Sequence, residues 1–317
     1  MSHTGSEGTV DRLSELVVPK WTDWLGADPP DVEWVLESTA RLTAQTSIIL
    51  YAIDPTARSV PLVAKVNRDP RFGSLIRQES ERMRQARDAL GPDQQQTVPR
   101  PLGLLEIGGD TYLISEFARE GHRWDQLEPP LNTKIADRLA AWLAQLHEGS
   151  ERTASSIDTG FPALVAKYYC EVFAPPESVT RRLTEAAESV AAEFAAANTE
   201  ILVHGDFWPG NWRINESEFK VIDWENAHWS PSPVLDEFLY PLSSLTLGQT
   251  EPDDDLMSFG ATYRRHRRLP PRRRDEAELA SIWTAAEVAT RTHRRWGVVE
   301  DWAIEWHRTV MQLAMHR

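Results

Sequence analysis

The sequence changes character once, near residue 117, and that change limits the fold more than any other feature. Before it, short β-rich runs alternate with turns. SIILYAI at 47–53 and VPLVAKV at 60–66 flank DPTARS, while LGLLEI at 102–107 and TYLISEF at 111–117 flank Gly108-Gly109-Asp110. Each pair reads as a hairpin. After it, helical spacing takes over: Ile135, Leu139, Trp142, Leu143 and Leu146 form one stripe, and further helical segments follow at 162–173, 177–198, 233–246, 276–296 and 300–315. The polar stretch AREGHRWDQLEPPLN, with Gly121 and Pro129-Pro130, reads as the connection between the two regimes. A chain of 317 residues exceeds the size at which single cores stop growing. The expectation is an α+β chain of two lobes, residues 1–117 small and β-rich and residues 118–317 larger and mainly helical.

Two features of the first lobe stand out. Residues 1 to 30 are polar with one weak helix and end at Asp28-Pro29-Pro30, a natural break. From Arg71 to Leu90 the pattern is helical, with Ile76, Met83, Ala86 and Leu90 on one face. Glu79 falls on that face, and Glu81 points elsewhere.

Composition removes several function classes. No apolar run is long enough to cross a bilayer, and a net charge of −14 opposes nucleic acid and anionic lipid over most of the surface while favouring a cationic ligand. The opening residues lack the basic start and apolar centre of a secretory signal, and Cys170 is the only cysteine, so a reducing cytoplasm is expected. Cys170, following Tyr168 and Tyr169 in an amphipathic segment, reads as a packing residue. The run Arg272-Arg273-Arg274 reads as a solvated helix start, and Asp253-Asp254-Asp255 as the first turn of another helix.

The chemistry concentrates in ILVHGDFWPGNWRI at 201–214. His204, Asp206 and Asn211 lie within eight positions, and WRINESEFKVIDWEN then reads as a short hairpin that brings Asp223 back at the end of its second strand. Phosphoryl transfer needs such a set. A carboxylate orients an alcohol and takes its proton, while hard oxygen donors hold the Mg2+ that accompanies the phosphates. Asp206 suits the first task, and Asn211 with Asp223 suits the second.

HGDFWPGN followed by VIDWE resembles the catalytic loop and metal-binding aspartate of the aminoglycoside phosphotransferase and choline kinase group, relatives of protein kinases. The resemblance spans residue 33 to the C-terminal helices, with its sharp motifs at 201–225. It implies a bilobal protein-kinase-like fold, a nucleotide-binding first lobe and a catalytic, substrate-binding second lobe. By position, Asp206 would be the base, Asn211 and Asp223 the Mg2+ ligands and His204 a shaper of the loop. Lys65 would contact the phosphates of ATP, with GTP an alternative donor. A helix glutamate would hold that lysine; Glu79 is favoured, because an unpaired carboxylate on an apolar face is costly, and Glu81 remains the alternative. Glu116, Phe117 and Ala118 would lie where an adenine meets main chain. Asp236 would anchor a helix or loop, and Glu225 lies close enough in sequence to reach the metal.

One departure is clear. The region corresponding to a glycine-rich phosphate loop, RLTAQTSIIL, contains no glycine, leaving Thr43, Ala44, Thr46 and Ser47 to approach the phosphates. The DFG and APE sequences of protein kinases are also missing. The expected activity is ATP-dependent O-phosphorylation of a small molecule, an aminoglycoside or nucleoside antibiotic or a related metabolite. The alternatives are a choline, ethanolamine or amino-alcohol kinase, a silent nucleotide-binding relative, and a metal-dependent hydrolase. Trp208, Trp212, Trp224 and Trp229 are candidate stacking surfaces for the acceptor.

Overall fold

The computed structural model describes residues 4–36, 47–67, 73–118, 131–214, 219–246, 252–297, 299 and 301–315. Thr43, Ala44 and Thr46 lie outside them. Two compact units emerge: one of Met1–Asp88, Pro92–His122 and Trp212–Asn226, the other of Ala89–Gly91, Arg123–Asn211 and Ala227–Arg317. The hairpin that carries Asp223 therefore counts with the first unit, although it follows residue 117 in sequence.

The first unit opens with helices α1 (Thr4–Val17) and α2 (Trp21–Leu25), followed by strands β1 (Glu33–Leu36), β2 (Ser47–Asp54) and β3 (Ser59–Asn67). Helix α3 (Gly73–Ala89) leads to β4 (Pro101–Ile107) and β5 (Asp110–Glu116). These strands make one antiparallel sheet in the order β1-β2-β3-β5-β4. Both expected hairpins are present; β1 carries no turn or alternation strong enough to announce it.

The period of two in these strands decides what each face does. Leu50, Ala52, Leu62, Ala64, Val66, Tyr112 and Ile114 share one buried cluster with Leu13, Val17 and Trp21, so the leading helices seal one face of the sheet. Each large aliphatic side chain sealed there contributes about 1.5–3 kcal/mol. Lys65, between Ala64 and Val66, falls on the opposite face by alternation. Helix α3 serves that other face: Ile76, Glu79, Ser80, Met83 and Ala86 are its buried residues, at helical spacing.

The second unit contains α4 (Leu131–Ser150), β6 (Arg152–Thr153), α5 (Phe161–Phe173), α6 (Glu177–Ala196) and β7 (Thr199–Val203). The hairpin strands β8 (Trp212–Ile214) and β9 (Phe219–Val221), which belong to the first unit, come next in sequence. The second unit resumes with β10 (His228–Ser230), α7 (Val234–Thr246), α8 (Pro252–His266), α9 (Arg274–Trp296) and α10 (Asp301–Met315). One apolar core joins α5, α6, α7, α9 and α10, with Phe194, Phe238, Trp283 and Trp306 among its large members. Cys170 packs against it as a partly buried side chain, as its neighbours in sequence suggested. Helix α8 begins at Pro252, so residues 253–255 occupy its first turn.

The basic run corrects a sequence expectation. Arg273 and Arg274 are exposed, but Arg272 turns inward with only 11% of its side chain accessible. It pairs with Glu193 of α6 at 2.7 Å and Glu237 of α7 at 3.1 Å, and Arg264 of α8 reaches Glu237 at 3.2 Å. Burial pushes Glu237 up, and the two guanidiniums pull against it. Helices α6, α7 and α8 thus share a buried charge cluster centred on Arg272, a residue that the local sequence assigns to solvent. Among the described residues, no helix is long and apolar enough to cross a membrane.

Candidate active site

In the first unit, Lys65 gathers three carboxylates. Its Nζ lies 2.7 Å from Asp223 Oδ1, 2.9 Å from Glu79 Oε2 and 3.2 Å from Glu225 Oε2. Burial opposes its charge, but the carboxylates outweigh it and hold the lysine pKa well above its ordinary value. Burial pushes the Glu79 carboxyl up to about 7, with Lys65 pulling against the rise. Glu79, 4% exposed, is therefore the glutamate that faces this lysine. Glu81 is exposed and accepts from Gln85 Nε2 at 2.9 Å.

Asp223 follows β9 and has φ of 64°, left-handed backbone that aspartate tolerates better than most residues. The three acids around Lys65 place one oxygen each within 4.8 Å of one another. Such a set of hard oxygens suits a divalent cation of the Mg2+ type, which takes one or two carboxylates and keeps several waters.

The second unit carries the loop. Strand β7 ends at Val203, and Gly205, with φ of 75°, turns the chain so that successive amides point inward. Asp236, fully buried at the start of α7, accepts hydrogen bonds from the His204 amide at 2.7 Å and the Gly205 amide at 2.8 Å. Its carboxylate also meets His147 Nε2 at 3.3 Å, while His147 Nδ1 lies 2.8 Å from the Tyr263 hydroxyl. Burial holds the imidazole below its usual pKa. A neutral ring then donates from Nε2 to Asp236 and accepts the Tyr263 proton at Nδ1. Burial pushes Asp236 up, but these bonds prevail and keep it below the ordinary aspartate value.

Asp206 and Asn211 come together within this loop. Asn211 Nδ2 donates to Asp206 Oδ2 and to its carbonyl, both at 2.9 Å, which leaves the amide oxygen as the group free to serve a cation. His204 is fully buried, and its Nδ1 accepts from the Asp206 amide at 3.2 Å. The Trp208 ring lies where a Cβ on Gly210 would stand, so only glycine fits there. A feature without a sequence signal is Arg291 of α9, whose Nη1 lies 3.6 Å from Asp206 Oδ1.

The remaining expected residues separate. Ser47 donates its hydroxyl to Asn67 Oδ1 at 2.8 Å, tying the ends of β2 and β3. The Glu116 amide donates to the Arg100 carbonyl and its carboxylate accepts from Arg100 Nε at 2.9 Å, so that residue is occupied by its own sheet. Ala118 is buried. Of the tryptophans, Trp212 and Trp224 are fully buried and Trp229 lies under the Arg152 guanidinium, 3.4 Å from its ring centre. Trp208 packs against the helical core.

The model of the phosphotransferase enzyme family, APH, matches residues 50–233, which span β2 through the segment before α7 and include Lys65, Asp206 and Asp223. The chain belongs to this phosphotransferase family. Among solved structures, this phosphotransferase is similar to a macrolide 2′-phosphotransferase type I, with TM-score 0.63 and 13% identity, covering 100% of this chain and 99% of that one. It is similar to an aminoglycoside phosphotransferase in a ternary complex with ADP and hygromycin B, with TM-score 0.60 and 12% identity over 94% of this chain and 97% of that one. An amicoumacin kinase, in complex with AMP-PNP, Ca2+ and its antibiotic, aligns with TM-score 0.56 and 13% identity over 99% and 96%. The phosphotransferase thus has the protein-kinase-like fold of these enzymes. A search of curated proteins by sequence returns no match.

Proposed function

We propose that this phosphotransferase moves the γ-phosphoryl group of ATP to a hydroxyl of a small antibiotic, of the aminoglycoside or nucleoside type, or of a related metabolite. The observation that carries the reading is the gathering of Glu79 and Asp223 on Lys65, in a chain whose family is that of phosphotransferases. Solved relatives that hold ADP or AMP-PNP beside an antibiotic support it.

In this reading Lys65 contacts the phosphates of the donor, and Glu79 keeps it extended toward them from α3. Asn211 and Asp223 would hold Mg2+, which supplies neutralisation of phosphate charge. Asp206 orients the acceptor hydroxyl and takes its proton as the new O–P bond forms and the bond to ADP breaks. Asn211, by donating to Asp206 Oδ2, fixes that carboxylate against rotation. His204 and Asp236 hold the loop backbone and do not exchange protons with substrate. The acidic chain favours a cationic acceptor, and ATP chemistry of this kind fits a cytoplasmic setting.

The test is direct. Protein, ATP and Mg2+ are incubated with pooled aminoglycosides, macrolides, nucleoside antibiotics, choline and ethanolamine, and products are searched by mass for an added phosphate. A phosphorylated antibiotic that disappears in Asp206→Ala is the expected result. A product that persists in Asp206→Ala would remove the base assignment, and a phosphorylated choline or ethanolamine alone would move the acceptor to primary metabolism.

A further inference from the structure

We infer that Arg291 is a positioning residue for Asp206, held in place by Glu287 and acting from helix α9. This rests on the reading of Asp206 as the base.

The geometry of one guanidinium carries the inference. Arg291 Nη2 and Nε lie 2.7 and 3.2 Å from Glu287 Oε2, one turn earlier on α9, so two nitrogens are spent on that carboxylate. The third, Nη1, is left to face Asp206 Oδ1 at 3.6 Å, a charge contact beyond hydrogen-bond length. Glu287 is fixed in turn by Arg294, whose Nη2 lies 2.7 Å from its other oxygen. Arg291 and Glu287 are both buried, at 9% and 6% side-chain exposure. A guanidinium so clamped on a long helix has little freedom, and it presents its charge to one oxygen of Asp206 while Asn211 occupies the other. The carboxylate is therefore gripped from two sides, by a loop residue five positions on and by a helix residue 85 positions on. In a reaction that depends on placing an alcohol against that carboxylate, a shift of about 1 Å costs up to a hundredfold in rate.

A lysine cannot reproduce the arrangement. Its single ammonium can meet Glu287 or Asp206, whereas the planar fork of arginine meets both. Arg291→Lys keeps the buried charge and isolates the loss of the fork. With an acceptor in hand, kcat and the two KM values are measured for wild type, Arg291→Lys and Asp206→Asn, together with the thermal midpoint of each. The expected result is a fall of about 10- to 100-fold in kcat for Arg291→Lys, with both KM values within about twofold and the midpoint close to wild type. An unchanged kcat, or a loss that only follows a lowered midpoint, overturns the inference. If Arg291→Lys fails to fold, Glu287→Gln, which leaves the guanidinium but removes its charged anchor, is expected to lower the midpoint and, assayed well below it where the variant is folded, to give the same fall in kcat with both KM values kept; an unchanged kcat there overturns it equally. Full activity in Asp206→Asn would instead remove the underlying assignment, whereas an inactive Asp206→Asn beside a normal Arg291→Lys removes only the role of Arg291.

Discussion

Asp236 clasps the main chain beside His204: its two carboxylate oxygens accept the amide hydrogens of His204 and Gly205, and nothing of it reaches solvent. Replacing it with asparagine keeps the size but turns one acceptor into a donor that faces an amide. Asp236→Asn should cost about 3 kcal/mol, since hydrogen bonds to a buried charge are the strong ones. The same change should lower kcat by tenfold or more, roughly what a displaced catalytic loop implies. Denaturant unfolding and steady-state turnover check the two outcomes separately.

The two glutamates of α3 offer a second contrast. Lys65→Met should lower kcat/KM by about 10²–10³-fold, as expected when a positioned charge on a transferred phosphate is lost. Glu79→Gln should cost about 10–100-fold through misplacement of that lysine. Glu81→Gln, on the solvent side, should stay within about twofold. Parallel kinetics of the three variants decide the matter, and equal losses in Glu79→Gln and Glu81→Gln would contradict the pairing.

Arg272 and Arg273 are neighbours with opposite fates. Arg272→Ala leaves Glu193 without its arginine and Glu237 with Arg264 alone, and removing one partner of such a buried pair costs up to about 3–5 kcal/mol. Arg273→Ala, on an exposed side chain whose amide keeps its bond to Glu276, should change stability by no more than about 0.5 kcal/mol. Chemical denaturation of the two variants is sufficient.

Much of this architecture was legible in the chain. The hairpins, helix α3 and the Glu79 face follow from local period, because strands repeat every two residues and helices every 3.6. The HGDFWPGN and VIDWE segments drew attention to Asp206, Asn211 and Asp223 through the chemistry of their side chains and their resemblance to a known catalytic loop. What escaped depends on partners far apart in sequence. Arg272 reads as solvated because its acids lie 79 and 35 positions away, and no local pattern encodes that meeting. Arg291 meets Asp206 only once α9 has packed beside the loop. Charged residues at helix starts carry the same local signature whether they face water or a buried acid.

The Glu287 cluster sets a pH dependence. Burial opposes its charge, yet Arg291 and Arg294 prevail and lower its pKa from 4.5 to about 2. A carboxyl depressed in the folded state contributes stability above its unfolded pKa and loses it as pH falls toward the folded one. That contribution, about 3 kcal/mol by this linkage, should be complete above pH 5 or so and fade between about pH 4.5 and 2. The stability difference between wild type and Glu287→Gln, measured by denaturant across that range, should shrink as pH falls. A difference constant down to pH 2 would contradict the assignment.

Asp223 shows where durability and chemistry part. Its left-handed backbone, with φ of 64°, is one that glycine enters without strain and a side chain enters at some cost. An Asp223→Gly exchange would relieve that backbone, yet it would also remove the ion pair with Lys65 and, in the proposed reading, the carboxylate offered to the metal ion. The left-handed turn before Trp224 thus binds backbone strain and the proposed chemistry to a single side chain, so that neither can be altered there without the other.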